Sequence, residues 1–116
     1  NHFTIGPMKM LQDGALGART AALNEPYEGY PDNIGISIYT QEELNDIMEF
    51  YDKHDMQAAI HCIGDRAMDM VIEAIEKSPY REKNAKGRHG IVHGHHTVHT
   101  HGRHYRTRIY LHCLTV

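Results

Sequence analysis

Along the first 93 residues, short apolar runs alternate with amphipathic stretches. Pro7-Met8-Lys9-Met10-Leu11 is apolar but for one lysine and is followed by the turn signal Gln12-Asp13-Gly14, so it predicts a short buried strand. From Asp13 to Ser37 the chain is rich in Gly, Pro and Asn without a sustained period. That predicts a long loop, and loops of this length are usually functional or disordered. Thr40-Gln41-Glu42-Glu43 fits a capping box, and Leu44, Ile47, Met48 and Tyr51 follow at helical spacing, predicting an amphipathic helix over residues 41–54. Gln57-Ala58-Ala59-Ile60-His61-Cys62-Ile63 has the length and apolarity of a strand, and Gly64 breaks it. Asp65 is placed to cap a second helix with Met68, Val71, Ile72 and Ile75 on one face, which Ser78-Pro79 ends. A polar connection leads to a third strand at Gly90-Ile91-Val92-His93.

The predicted order is strand, loop, helix, strand, helix, strand. Strands alternating with helices argue for βαβ units, a parallel sheet and the α/β class. Right-handed crossovers put both helices on one face if strand order simply advances, as in a barrel.

Composition bounds this picture without sharpening it. The chain has 116 residues, 41% of them hydrophobic and 23% charged, which suits a single core and a soluble, cytoplasmic protein. No apolar run is long enough to cross a bilayer, and Asn1-His2-Phe3-Thr4-Ile5-Gly6 lacks the pattern of a signal peptide, so no membrane association is expected. Cys62 and Cys113 read as two free thiols rather than a disulfide. Histidine and acid are unevenly spread. All 15 acidic residues lie at or before Glu82, whereas eight of the 11 histidines lie between His89 and His112. Two kinds of sequence meet here, a segment at 1–93 and an atypical His/Arg-rich tail at 94–116. The tail's three arginines stand against a body that leaves the chain at net charge −3, so nucleic acid is not the expected partner.

Ligands of α/β proteins gather at the carboxyl ends of parallel strands. Lys9 lies in the first predicted strand, His61 near the end of the second and His93 at the end of the third. Imidazoles on adjacent strand ends can converge on one cation, and two histidines with an oxygen donor suit zinc. A lysine among them makes sense if its amine takes up CO₂ to give a carbamate, an anionic oxygen ligand able to bridge two metals. Each residue also has a plainer reading. A strand histidine can be a hydrogen-bonded rim residue, a lysine in an apolar run can snorkel to solvent, Asp13 can be a turn residue and Asp65 a helix cap.

The stretch from Ile5 to Ala21, with Gly6, Lys9, Asp13-Gly14, Leu16-Gly17 and Thr20-Ala21 at fixed offsets, resembles the G-x-x-K-x-x-x-D-G-S-L-G-x-x-T-A motif of YtcJ-like metal-dependent amidohydrolases. Glu25-Pro26-Tyr27 continues the likeness. Ile60-His61-Cys62-Ile63-Gly64-Asp65-Arg66-Ala67-Met68-Asp69 is similar to that family's I-H-A-I-G-D-x-A-x-D, and Arg88 to His93 to its R-x-x-I-x-H. Three motifs in order are far more specific than one, and together they cover residues 5–93. The family's serine after Asp-Gly is Ala15 here. The resemblance implies that the chain is a partial (β/α)8 TIM-barrel segment of an enzyme that hydrolyses amide-type C–N bonds of a small molecule. It implies a divalent metal, zinc by preference, held by Lys9 (carboxylated), His61 and His93. It further implies that the loop from Asp13 to Ser37 shapes the substrate pocket, with Asp13, Arg19, Tyr27 and Asp65 as substrate-loop candidates. The family's first-strand His-x-His and its late aspartate, the usual general base, have no counterpart in this sequence. The expectation is therefore an internal fragment, inactive alone, whose uncovered face invites a homo-oligomer.

The motif likeness stops at His93. The tract Gly94-His95-His96-Thr97-Val98-His99-Thr100-His101-Gly102-Arg103-His104 has two readings, metal binding by a His-rich segment or translation out of frame. Codons for Gly102-Arg103-His104-Tyr105-Arg106 permit Ala-Asp-Ile-Ile-Ala when shifted by one base, which would restore a barrel-like strand. Residues 108–114 could supply an improvised extra strand. A contrasting function is a non-catalytic, His-rich metal-binding or assembly protein.

Overall fold

The computed structural model describes residue 3, residues 5–84 and 89–92, and the backbone of residues 110–112. Four short strands form one parallel sheet: β1 (Met8–Leu11), β2 (Ala58–His61), β3 (Gly90–Val92) and β4 (Tyr110–His112), in the order β1-β2-β3-β4. Helix α1 (Gln41–Lys53) connects β1 to β2, and α2 (Asp65–Lys77), followed by a short 3-10 turn at Arg81–Lys83, connects β2 to β3. The architecture is α/β, with parallel strands alternating with helices. The strand at Tyr110–His112 falls within the 108–114 stretch that the sequence offered as an extra strand, and it pairs parallel to β3.

The register decides which residues share a face. Met10 pairs with Ile60 and Ile60 with Ile91, and all three are buried. With Ala58 and Cys62 they pack against Leu44 and Met48 of α1 and Ala67, Val71, Ile72, Ala74 and Ile75 of α2. One core cluster on one side of an advancing sheet puts both helices on that side, as the handedness of crossovers requires. Residues of the alternate parity, Lys9, Leu11, Ala59, His61 and Val92, share the opposite face. On that face Lys9 is exposed and Leu11 is 47% exposed, while Ala59, His61 and Val92 are half-buried. The buried first strand expected from its apolarity is therefore corrected. Only Met10 of β1 is buried: Lys9 and Leu11 lie on the face away from the helices, and Met8, on the helix side at the start of the strand, is 41% exposed.

Thr40 caps α1 as predicted: Glu43 N–H donates to its hydroxyl at 3.2 Å, and the Glu43 carboxylate accepts the Thr40 N–H at 2.9 Å. At α2 the cap residue is Gly64, not Asp65, which is the first helical residue. The reason is steric. A Cβ at position 64 would fall on the Ala22 carbonyl, whose oxygen accepts from the Arg66 and Ala67 N–H groups and so caps the helix from the loop.

At the amino-terminal end of the sheet lies a buried polar network. His89 and Asp52, 0% and 2% exposed, meet at 2.7 Å between Nε2 and Oδ1, and the same oxygen accepts from Asn84 Nδ2 at 2.8 Å. The Ala58 N–H donates to His89 Nδ1 at 3.1 Å, so Nε2 carries the ring proton and the imidazole is neutral. This network ties the end of α1, the 3-10 turn and the starts of β2 and β3.

Candidate functional site at the carboxyl rim

His61 ends β2 at the carboxyl edge of the sheet, where the chain leaves each parallel strand and a ligand can approach. Its side chain is 18% exposed. Nε2 lies 2.9 Å from the Gly14 carbonyl oxygen and 3.7 Å from Asp13 Oδ1. A carbonyl only accepts, so Nε2 carries a proton and donates it to Gly14. Lys9 stands on the same face, one strand over and two residues deeper, since Leu11 rather than Lys9 is level with His61. Strand spacings put their Cα atoms about 8 Å apart, within reach of a lysine side chain.

Asp13 follows β1 and is fully buried. Its Oδ1 accepts the Ile63 N–H at 2.9 Å, and Oδ2 accepts the Gly64 N–H at 2.7 Å and the Ala22 N–H at 3.0 Å. Three backbone donors compensate the charge without any cation. The carboxylate thereby fastens the end of β1, the middle of the long loop and the β2–α2 turn to one point.

The loop itself is ordered by its own hydrogen bonds. Leu23 N–H donates to Ile34 O at 2.9 Å, Ile36 N–H to Thr20 O at 3.1 Å, and Ile38 N–H to Gln12 O at 2.8 Å. Tyr27 and Tyr30 form an antiparallel bridge around Gly29, whose φ of 78° suits glycine. The Tyr27 hydroxyl donates to Ala21 O at 2.8 Å, and burial raises its phenol above the ordinary value. Arg19, in the left-handed region at φ 55°, donates to the Tyr30 hydroxyl at 2.6 Å and lies with its guanidinium 4.2 Å from the Tyr30 ring centre. Asp65 Oδ1 accepts the Asn24 N–H at 3.0 Å, and Asn24 Nδ2 donates to Asp69 at 3.0 Å, fastening the loop to α2.

Of the residues named from sequence, Lys9 and His61 come to one face and Asp13 lies beside His61. Arg19 and Tyr27 bond within the loop, and Asp65 bonds the loop to α2. His93 and the boundary between 93 and 94 lie outside the described residues. Among the described residues no three His, Cys, Asp or Glu side chains are grouped to hold a metal. No described helix is long and apolar enough to cross a membrane.

Sequence reasoning passed over Gln12. Fully buried, it accepts the Tyr39 N–H at 3.3 Å and donates to the Tyr39 carbonyl at 3.0 Å, fixing the loop's exit beside its entry. The polar side chain directly after an apolar strand was its only signal. Cys62 is free, as expected, and burial pushes its thiol pKa well above the usual range. Cys113 lies outside the described residues.

The fold and the site define an α/β protein whose parallel sheet carries Lys9 and His61 on one face, His61 at its carboxyl edge. A profile of the amidohydrolase family matches residues 1–109, and the chain belongs to that family. YtcJ of Bacillus subtilis (strain 168), named as an amidohydrolase, is 44% identical over 85 residues, 73% of this chain and 15% of its own length. Protein LONG AFTER FAR-RED 3 of Arabidopsis thaliana is 34% identical over 92 residues, 79% of this chain and 16% of its own. Two solved structures, each described as an uncharacterized metal-dependent hydrolase, superpose on the chain. The one from Pyrococcus horikoshii OT3 has a TM-score of 0.64 at 35% identity over 79% of this chain and 18% of its own. The one from Pyrococcus furiosus has a TM-score of 0.63 at 32% identity over 76% and 17%. The chain thus spans 15–18% of the length of these relatives.

Proposed function

We propose that this chain is a segment of a (β/α)8 barrel hydrolase that cleaves amide-type C–N bonds of a small molecule with a divalent metal, zinc by preference. His61, Lys9 in its carbamate form and His93 would be ligands. The observation that carries the reading is the placement of His61: it ends β2 at the carboxyl edge of the sheet, on the face that Lys9 shares, with its Nε2–H donated to the Gly14 carbonyl. Metal-bound histidines commonly donate their other N–H to a carbonyl or carboxylate in this way. The donor set fits a metal once Lys9 has reacted. Its neutral amine adds to the carbon of CO₂ and releases a proton, so the cationic side chain becomes an anionic oxygen donor on the face that His61 shares. A divalent cation held there would polarise the amide carbonyl and make water a usable nucleophile at neutral pH.

The chain's own residues do the holding. Lys9 and His61 offer donors, while Asp13, Gln12 and Asp65 fix the loop that would border the substrate. The family's His-x-His and late aspartate have no counterpart among the 116 residues, so the chain alone is expected to bind metal without amide turnover.

Zinc titration of the 116-residue chain by calorimetry tests this reading. Lys9→Ala and His61→Ala should each weaken binding about tenfold or more. Replacing His95, His96, His99 and His101 with Gln should leave a rim site intact. Undiminished binding in His61→Ala, together with its loss in the tail variant, would overturn the proposal and favour the His-rich metal-binding protein.

A further inference from the structure

We infer that Arg19, laid on the Tyr30 ring, is a specificity-determining residue that takes the carboxylate of an anionic amide substrate. The inference rests on the reading of the rim beside His61 as the hydrolase site. Backbone, charge and position each point to it. Residues 15–20 form a tight turn, with Gly14 N–H on Thr20 O at 3.2 Å, Thr20 N–H on Ala15 O at 3.0 Å and Arg19 N–H on Leu16 O at 2.9 Å. Arg19 sits in that turn at φ 55°, where glycine, asparagine or aspartate would rest more easily. The backbone gives no reason for an arginine there, so the reason lies in its side chain. Among the described residues no carboxylate pairs with that side chain, although Glu25, Glu28 and Asp32 stand exposed on the same loop. It is fixed all the same, by the Tyr30 hydroxyl at 2.6 Å and the Tyr30 ring, whose centre lies 4.2 Å away. A guanidinium has more N–H donors than that one bond uses. An exposed fork with donors to spare is thus held in place before an anion arrives, which lowers the cost of binding one. Such a fork takes a carboxylate through two parallel hydrogen bonds. The turn also stands at the rim: it springs from Gly14, whose carbonyl accepts from His61 Nε2 at 2.9 Å. Burial, above all, raises the phenol of Tyr27, whose hydroxyl donates to Ala21 O. The Asp13 charge raises it further and the Arg19 charge lowers it, so both groups lie within electrostatic reach of that hydroxyl. Asp13 in turn lies 3.7 Å from His61. A substrate with its carboxylate on Arg19 would lay its amide towards the face that Lys9 and His61 share.

Nitrogen-15 spectra of the full chain, titrated without metal with N-acetylglycine and with its uncharged counterpart N-acetylglycinamide, test this. N-acetylglycine should move the Arg19 Nε–H resonance and the backbone amides of Ala15 and Thr20, and the glycinamide should bind about tenfold more weakly or less. Arg19→Gln should weaken N-acetylglycine binding by a similar factor, and Arg19→Lys should recover part of it. Tyr30→Leu, which releases the fork, should weaken it severalfold. Equal binding of the two probes refutes the inference, as does undiminished binding of N-acetylglycine by a folded Arg19→Gln variant. If that variant does not fold, the comparison of probes on the unaltered chain decides. Acetate, a carboxylate without an amide, should bind more weakly than N-acetylglycine; equal binding marks Arg19 as a general anion contact and also refutes the substrate reading. Because both probes are read without zinc, the two readings fail separately. N-acetylglycine seated on Arg19 in a chain that binds no zinc leaves the anion subsite standing, whereas zinc binding without that shift leaves the metal site and removes the subsite.

Discussion

Cys62 shows how far a single side chain is governed by its surroundings. It follows His61, but the alternation of the strand sends it to the helix side, where burial disfavours the thiolate and the Asp13 charge adds to the effect. The sign of the linkage follows directly. The unfolded thiol ionises near pH 8.5 and the folded one much higher, so below about pH 8.5 the group costs the fold nothing. Above that pH the unfolded state sheds the proton first, and stability should fall by up to about 1.4 kcal/mol per pH unit. Urea midpoints measured at pH 7.5, 8.5 and 9.5 for the unaltered chain and Cys62→Ala read this out. The decline should be shallower in the variant, and parallel declines would contradict the assignment. The Asp13 clamp belongs to the same scale, where one carboxylate binds the backbone N–H groups of Ala22, Ile63 and Gly64.

At the scale of elements, the two helices differ in what starts them. Helix α1 carries its own start signal in the Thr40–Glu43 capping box, a local device that works in any context. Replacing Thr40 with Ala should cost about 1 kcal/mol. A shift of the denaturation midpoint is the measurement, and no loss would mean that water serves the cap equally well. Helix α2 has a cap residue, Gly64, with no side chain to offer; the Ala22 carbonyl accepts the Arg66 and Ala67 N–H groups, and the Asp65 carboxylate shares the Arg66 N–H at 2.9 Å. Its start is a tertiary contact and depends on the loop being in place. That difference explains why the boundary of α1 was legible from residues 40–43, while the cap of α2 was misread by one position.

The whole molecule is held at both ends of its sheet by buried polar groups and between them by one apolar layer. At the carboxyl end Asp13 gathers backbone; at the amino end Asp52 gathers His89 and Asn84. Removing Asp52 by mutation to Ala leaves the Nε2–H of His89 buried without its acceptor, which should cost about 1–3 kcal/mol. The unfolding midpoint in urea tests this, and a change below about 0.5 kcal/mol would show that water replaces the carboxylate. The face carrying Lys9, Leu11 and His61 contributes nothing to that core, so the polar chemistry of the rim can vary without unfolding the sheet.

The sequence by itself determined the elements and the family. Apolar runs, helical spacing and a capping box are local signals, and three motifs in order carry the resemblance that the family match bears out. It also marked Lys9 and His61, because a charged or imidazole group in an apolar run stands out. Tertiary structure alone decided which side of the sheet each strand residue faces and what Asp13 does. Its donors at Ile63 and Gly64 lie 50 and 51 residues away, and no local pattern encodes a partner at that distance. The same holds for His89, which reads as one histidine among many but is a buried, neutral link between α1 and β2. A side chain's type is written in the sequence, but its protonation and partners depend on which distant backbone groups folding brings against it.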